Sequence, residues 1–201
     1  MKIKALLYCT KAKPMLRIAK EELKGQKRAR CYSKEETEYF TQYIDEEMYE
    51  ANGKIVAECD YEVEKLQIIY GKGWETKTIK GTENVEKLTC LSRDKLYQYC
   101  KGNGYAIHIK NLHIFDKPKE LDYYYSRPKK VNTFDWYRLK GYTYANISLD
   151  KAPQNMMYCC SESGKEYILI SIQSQWLCKI LNKEKTIEVR KVVLKEMLKN
   201  E

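Results

Sequence analysis

Polar residues with potential chemistry alternate with apolar ones over residues 185–191, near the C-terminal end of this 201-residue chain. The segment reads Lys-Thr-Ile-Glu-Val-Arg-Lys, so an extended backbone places Thr186, Glu188 and Arg190 on one face. A carboxylate and a guanidinium two residues apart on that face can pair with each other and also bind a ligand. The alternative is a solvated ion pair that contributes roughly a few tenths of a kcal/mol. These residues alone leave both interpretations open.

The residues before this segment predict the elements that position it. Tyr167–Ile172 is a short apolar run rich in β-formers, and Ser174 is placed to cap a helix over Gln175–Leu181. The apolar residues of that helix share one face. Over Lys185–Lys191 the period changes to two. We therefore expect a strand, a short helix and a second strand in this order.

Length and composition predict one domain that spans residues 1–201. With 43% hydrophobic and 32% charged residues, the chain is large enough to bury a core. No stretch has the length and apolarity of a membrane span, and the charged start lacks a signal-peptide core, so we expect a cytoplasmic protein without a membrane partner. The eight cysteines include no Cys-x-x-Cys pair and no companion histidine spacing. Reduced thiols, no metal site and no cofactor are expected.

Charge is distributed unevenly along a chain whose net charge is +9. Residues 1–30 carry ten Lys and Arg against two Glu, whereas residues 31–64 carry two Lys against eleven acids. A basic segment suits a polyanion, because Lys and Arg release counterions from a phosphate backbone. The alternative is that the two segments neutralise each other in the fold.

The rest of the chain predicts further strands and helices. Strands are expected at Lys4–Thr10, Lys54–Ile69, Tyr105–Phe115 and Met156–Cys160. Helices are expected over Leu16–Leu23, from a Ser33–Glu36 capping box to Asn52-Gly53, over Ser92–Lys101, and over 192–201. Residues 81–89 are expected to form a loop. Residues 15–52 would thus be a helical elaboration, and 122–150 an insertion rich in Tyr and basic residues that packs on the sheet or contacts single strands.

The segment ILISIQSQWLCKILNKEKTIEVRK resembles the opening signature of ASCH domains, a branch of the PUA-like superfamily with the motif G-x-K-x-x-E-x-R. Lys185, Glu188 and Arg190 match its K, E and R, whereas Lys183 stands at the glycine position. Other parts of ASCH proteins from Gram-positive bacteria and their phages are similar to LLYCTKAKP, NGKIVAECD, TCLSRDKLYQYCKGNGYAIHIKNLHIFDKPKEL and KAPQNMMYC. The order is rotated, because the signature comes last in this chain.

This resemblance implies an α+β fold, namely a closed or nearly closed, mostly antiparallel PUA-like β-barrel with peripheral helices in circularly permuted order. Permutation requires that the old chain ends lie close together and that the new ends lie on an exposed loop. Residues 161–166 would join the old ends. The strand that ends at Arg190–Lys191 would then lie beside Tyr8–Lys13 in the same sheet.

The resemblance also implies nucleic-acid binding, with RNA as the expected partner, in a basic cleft beside the signature strand. The expected binding residues are Tyr8, Thr10, Lys11, Lys13, Lys185, Glu188, Arg190 and Lys191. Arg190 is expected to donate to a phosphate or a base edge, with Glu188 orienting it or accepting from a base amino group. Tyr8, Tyr105 and Trp176 are candidates for stacking on bases, although core packing is the stronger expectation for Trp176.

Two other functions remain open. Some ASCH relatives hydrolyse the amide of acetylated cytidines with a Lys, a Thr nucleophile and a Glu. Lys185 matches the Lys, but Glu188 stands at the Thr position, and a carboxylate does not replace a hydroxyl that forms an ester intermediate. Thr186 is displaced by a strand step of roughly 6–7 Å. We therefore expect binding rather than catalysis, with Lys185, Thr186 and Glu188 as the catalytic set of a hydrolase.

The other open function is a protein-interaction or inhibitor module of phage type. The 15–50 segment would suit such a role, because basic residues precede a predicted helix that has an acidic face. Its protein partner is not identified by any feature of the sequence.

Overall fold

The computed structural model describes residues 3–11, 14–19, 27–33, 35–36, 48–70, 77–126, 129–135, 138–145 and 148–199. The strands are β1 (Lys4–Cys9), β2 (Met15–Ala19), β3 (Ala29–Tyr32), β4 (Met48–Glu50), β5 (Ile55–Tyr70), β6 (Lys77–Lys80), β7 (Asn103–Lys119), β8 (Tyr124–Ser126), β9 (Lys129–Asp135), β10 (Arg138–Ala145), β11 (Met156–Ser161), β12 (Glu166–Ile172) and β13 (Ile187–Arg190). The α-helices in these ranges are α1 (Val85–Thr89), α2 (Arg93–Cys100) and α3 (Ser174–Leu181), and 3₁₀ helices cover Leu121–Tyr123 and Lys195–Lys199. The fold is mixed and mostly strands, which agrees with the expected α+β class. No helix in the described ranges is long and apolar enough to cross a membrane.

The largest sheet has the strand order β13-β7-β5-β1-β12-β11-β8, and β6 also pairs with β5. Its neighbouring strands are antiparallel except for β1 and β12, which run parallel. The sheet is not closed into a barrel in the part of the chain that the structure describes, where β13 and β8 are its edges. The strand that carries the signature residues is therefore an edge strand.

After Lys4, the central strand β1 is apolar and buried, as is typical of a strand with both faces covered. Ala5, Leu7 and Cys9 pack into the largest core cluster, and Leu6 and Tyr8 pack into a second cluster on the other face. A third cluster lies where α1 and α2 cover β13 and the start of β7. Its buried members are Leu66, Val85, Leu96, Cys100, Ala106, Ile187 and Val189.

The described part of residues 15–52 forms a three-stranded sheet of order β3-β2-β4, so the prediction of a helical elaboration is wrong there. Strand β2 replaces the first part of the helix expected over Leu16–Leu23. Leu16 and Ile18 are buried while Arg17 between them is half-exposed, which is the period of a strand. Backbone pairing with two strands distant in sequence decides this conformation.

The second helix predicted in this region is correct at its start and wrong at its end. Ser33 and Glu36 exchange side-chain-to-backbone hydrogen bonds of 2.8 and 3.2 Å, which is the predicted capping box. Met48–Glu50 is a strand, so the helix does not continue to Asn52. Its predicted middle, residues 37–47, lies outside the described residues.

Side chains help to fasten the three-stranded sheet to the rest of the molecule. The amide of Asn182, at the C-terminal end of α3, accepts from the backbone N–H of Ala29 and donates to its carbonyl, both at 3.0 Å. The Tyr49 hydroxyl donates to the Phe115 carbonyl at 2.7 Å. These contacts attach β3 to α3 and β4 to β7.

The strand predictions in the main sheet are confirmed, with small changes at their ends. Strands form at Lys4–Cys9, Ile55–Tyr70, Asn103–Lys119, Met156–Ser161 and Glu166–Ile172. Helix α2 begins after Ser92, whose hydroxyl accepts from the Lys95 N–H as a cap does. Helix α3 also forms, but Ser174 does not cap it, because its hydroxyl donates to the Pro14 carbonyl at 2.6 Å.

Two other expectations need correction, and the 122–150 insertion can be described in part. Residues 81–89 contain helix α1 and are not only a loop. The expected C-terminal helix over 192–201 is a 3₁₀ helix, Lys195–Lys199, in the described part. The insertion at 122–150 contains β8, which pairs with β11, and an antiparallel pair formed by β9 and β10.

Buried thiols predict that this fold is less stable at alkaline pH. Burial raises the pKa of Cys9, Cys59 and Cys159 to about 12, whereas an unfolded thiol ionises near pH ~8.5. Between these values the unfolded chain loses protons that the folded chain keeps, so stability falls as pH rises. We expect a loss on the order of 2 kcal/mol per thiol by pH ~10, measured by urea unfolding under reducing conditions.

The matched variants for this measurement are Cys59→Ala and Val56→Ala, both on β5. Cys59→Ala is expected to make the free energy of unfolding less dependent on pH between pH 7.5 and ~10. Val56→Ala creates a cavity, so it is expected to lower stability by the same amount at both pH values. An unchanged pH dependence in Cys59→Ala would contradict the assignment of this loss to buried thiols.

Candidate functional site

A cavity of about 560 Å³ lies beside β13. Five parts of the chain line it: the residue after β1, helix α2 with Leu91 shortly before it, the segment before β11, the segment from the end of β12 to the start of α3, and the signature segment. The lining residues are Thr10, Leu91, Lys95, Gln98, Tyr99, Gln154, Ser171, Gln173, Trp176, Lys185, Glu188, Val189 and Arg190. Pockets for small ligands and cofactors have volumes of about 300–1,000 Å³, so a nucleotide-sized group fits here.

Strand periodicity explains why the signature residues face this cavity. Ile187 and Val189 are buried in the cluster under α1 and α2. Successive side chains of a strand point to opposite faces, so Glu188 and Arg190 lie on the other face. The predicted alternation over this segment is confirmed by the burial of the two apolar residues and by the strand assignment.

Glu188 is held between two cations at the wall of the cavity. Its Oε1 lies 2.9 Å from Nη2 of Arg190, and its Oε2 lies 3.4 Å from Nζ of Lys185. The side chains of Glu188 and Arg190 are each 12% exposed, and that of Lys185 is 2% exposed. Two cations and one anion leave this buried cluster with a formal charge of +1.

Arg190 links strands that are not neighbours in the sheet. Its Nη1 donates to Oδ1 of Asn155 at 3.0 Å, and its Nη2 donates to the Ser171 carbonyl at 2.6 Å. Ser171 belongs to β12, which is four positions from β13 in the strand order. The two terminal nitrogens of Arg190 therefore bind protein acceptors and tie the end of β13 to β12 and to Asn155.

Lys185 is almost fully buried at the start of the signature segment. Its Nζ donates to the Thr89 carbonyl at 2.9 Å and lies 5.5 Å from the centre of the Trp176 ring. Desolvation lowers the pKa of Lys185, while the charge and hydrogen bond of Glu188 oppose that shift. Trp176 itself lines the cavity and also packs against the largest core cluster.

Two polar atoms near this network have no hydrogen-bond partner in the described part of the chain. They are Nε of Arg190 and Oγ1 of Thr10, and both are buried. Buried polar atoms in native proteins are nearly always hydrogen-bonded to protein or to ordered water. Both residues line the cavity.

The rim of the cavity combines an exposed aromatic ring with cations. Tyr99 lines the cavity and is 40% exposed, and Nζ of Lys191 lies 5.2 Å from the centre of its ring. Lys95, one helical turn before Tyr99, lines the cavity and is exposed. Burial of part of its side chain raises the pKa of Tyr99, so its hydroxyl is protonated at neutral pH.

The structure brings together some of the predicted binding residues and separates others. Thr10, Lys185, Glu188 and Arg190 line the cavity, and Lys191 lies on Tyr99 at the rim. Tyr8 is buried in the second core cluster, and the exposed Lys11 packs its stem against Gly53. Lys13 lies outside the described residues. Tyr105, a stacking candidate, does not line the cavity.

The predicted neighbourhood of the signature strand is wrong. β13 pairs with β7, and β1 pairs with β5 and β12, so the end of β13 is not beside Tyr8–Lys13 in the sheet. Thr186 does not line the cavity, and its backbone N–H and C=O bond to Leu88 and Ile109. Of the hydrolase set, Lys185 and Glu188 therefore lie at the cavity without Thr186.

The sequence did not lead us to expect that α2 lines the cavity. Lys95, Gln98 and Tyr99 have the spacing i, i+3 and i+4, which places them on one face of a helix. This spacing could be read from the helix predicted over Ser92–Lys101. Gln154 and Gln173 carried no comparable signal, because each lies outside a helix or strand.

The donor atoms available at the cavity suit an organic or phosphorylated ligand rather than a metal ion. Glu188 is its single acidic lining residue, and two cations already contact that carboxylate. Across the described residues, no group of three or more His, Cys, Asp or Glu is arranged to hold a metal ion.

Comparison of the chain with protein-family models, curated proteins and solved structures gave no match.

The charge of the buried cluster predicts unequal costs for removing its members. Glu188→Gln leaves two buried cations without their anion, so we expect a loss of about 3 kcal/mol in the free energy of unfolding. Lys185→Met leaves a neutral Glu188–Arg190 pair and one unpaired carbonyl, so a loss of about 1 kcal/mol is expected. Urea unfolding at neutral pH measures both values.

Lys95→Met is the control, because Lys95 lines the same cavity but is exposed and outside the cluster. Its effect is expected within about 0.5 kcal/mol of zero. If Lys185→Met lowers the free energy of unfolding as much as Glu188→Gln does, or more, the cluster does not behave as an ion pair with one surplus cation.

Proposed function

We propose that this protein binds single-stranded RNA, with the cavity beside β13 as the binding site. The single observation that carries the proposal is the composition of that cavity. Its lining has three cations against one anion, an exposed aromatic ring at the rim and enough volume for a nucleotide. Aromatic rings together with a positively charged groove are the usual means by which proteins bind single strands.

The cations divide into two groups with different tasks. Lys185 and Arg190 are bonded to protein atoms, so they contribute a positive potential and keep Glu188 in place. Lys95 and Lys191 are exposed at the mouth and are free to approach phosphates. Contacts of this kind release counterions and give affinity that falls with salt.

Tyr99 supports the proposal as the residue on which a base stacks. Its ring is partly exposed at the rim, and Lys191 lies over it within the range of a cation–π contact. A base that replaces or extends this contact gains stacking free energy while the neighbouring lysines approach its phosphates.

We also propose that the chain is a circularly permuted relative of ASCH and PUA-like proteins, with the main sheet as an opened form of their barrel. Three features support this relationship. The sheet is mostly antiparallel, the strand–helix–strand unit of β12, α3 and β13 comes last, and the Lys185, Glu188 and Arg190 side chains line a cavity. β1 and β12, from opposite ends of the chain, are also direct neighbours.

The test is binding of a fluorescent single-stranded RNA of mixed sequence, measured by anisotropy at 50 and 200 mM salt. We expect affinity to fall steeply with salt and Tyr99→Ala to weaken binding about tenfold, because one stacked base contributes about 1–3 kcal/mol. Lys95→Ala is expected to reduce the slope of log K against log salt by about 0.7.

The matched controls are Tyr123→Ala and Lys80→Ala, which replace exposed residues outside the cavity lining. Neither is expected to change affinity by as much as twofold. Absence of binding at low salt overturns the proposal. Equal effects of Tyr99→Ala and Tyr123→Ala would remove the cavity as the binding site.

A further inference from the structure

The carboxylate of Glu188 differs from the other groups at the cavity, because it is the single acidic side chain among the described residues that line it. An acid is unexpected in a site for a polyanion, since it repels phosphates. Its contacts explain why it is tolerated: Lys185 and Arg190 hold one oxygen each and more than balance its charge. A carboxylate placed this firmly is suited to read one particular part of a ligand.

Glu188 retains capacity to accept hydrogen bonds from a ligand. A carboxylate has about four lone-pair positions on its two oxygens, and it has no donor. The Arg190 and Lys185 contacts occupy one position on each oxygen, and the side chain is 12% exposed where it lines the cavity. The ligand group that meets Glu188 must therefore present hydrogen-bond donors and no acceptor.

The Watson–Crick edges of the four RNA bases differ in this property. Guanine presents two adjacent donors, N1–H and the N2 amino group, with a spacing that matches the two oxygens of a carboxylate. Adenine and cytosine each place a ring acceptor next to their amino group, and uracil flanks its N–H with two carbonyls. A fixed carboxylate attracts the two adjacent donors of guanine and repels the acceptor atoms of adenine, cytosine and uracil.

We propose that Glu188 makes this cavity selective for guanine, which it binds through N1–H and the N2 amino group. This inference rests on the proposed function and specifies the base that the site takes from a strand. Lys185 and Arg190 then act as positioning residues, because they fix the carboxylate rather than contact the base. Tyr99 at the rim stacks on a base without regard to its identity, so the selectivity is assigned to Glu188.

The test compares single-stranded oligouridines that carry one central guanine, inosine, adenine or cytosine, together with unmodified oligouridine. Inosine keeps N1–H and the 6-carbonyl of guanine but lacks the 2-amino group. We expect the guanine oligonucleotide to bind the unaltered protein about tenfold more tightly than the inosine one, and more tightly than the other three. This comparison changes only the ligand, so it does not depend on a variant that folds.

Glu188→Gln provides the second measurement. The glutamine side chain has the same shape but presents one acceptor and one donor, so we expect the ratio of guanine to inosine affinity to fall towards one. Lys95→Ala is the matched comparison. It is expected to weaken all five oligonucleotides by the same factor and to leave that ratio unchanged, because Lys95 contacts phosphates.

The outcomes separate this inference from the proposed function. Equal affinities for all five oligonucleotides, with binding that falls with salt and with Tyr99→Ala, overturn guanine selectivity and leave RNA binding in place. Absence of binding to any of them overturns both. GMP that binds as tightly as the guanine oligonucleotide supports guanine selectivity and overturns strand binding, because the cavity then serves a free nucleotide.

Discussion

The guanidinium of Arg190 is the contact on which the arrangement of the cavity depends. Among the described strands, β13 is an edge strand that pairs with β7 alone, so these backbone hydrogen bonds do not fix its distance from β12. The donations from Arg190 to Ser171 and Asn155 do so. A planar guanidinium presents several donors in a rigid geometry, and a lysine at this position would reach one of these acceptors at a time. The cavity lies in the space that this bridge spans.

Burial of this guanidinium requires the other members of the cluster. A buried cation is costly unless it is paired, and Glu188 supplies the anion. The same carboxylate pairs with Lys185, whose Nζ also donates to the Thr89 carbonyl at the end of α1. Helix α1, strand β13 and strand β12 are thus joined by one set of charged hydrogen bonds. The surplus cation of that set gives the cavity its positive potential, and an anionic ligand would relieve it.

The sequence predicted those parts of the fold that depend on local periodicity. The strand within 187–190 and the helix after Ser92 form as predicted, because a period of two or 3.6 fixes which side chains share a face. Predictions that needed distant partners failed. β2 forms because its backbone pairs with β3 on one side and β4 on the other, so that Arg17 lies opposite both Arg30 and Glu50, and no local pattern reveals such pairing. For the same reason β13 was expected beside β1 and lies beside β7, and Tyr8 was expected in the cleft and lies in the core.

Strand β13 and helix α2 both line the cavity, and Gly104 allows these two elements to pack closely. Strand β13 supplies Glu188 and Arg190 from one face, and α2 supplies Tyr99 from a helical face. A Cβ at Gly104, which follows α2, would lie 2.7 Å from Sγ of Cys100 and 3.3 Å from the Arg190 carbonyl. A side chain there would force the buried Cys100 thiol to move and would press on the Arg190 carbonyl at the end of β13. Glycine at this position therefore lets the helix pack directly on the strand, which keeps Tyr99 within reach of a ligand held at Glu188.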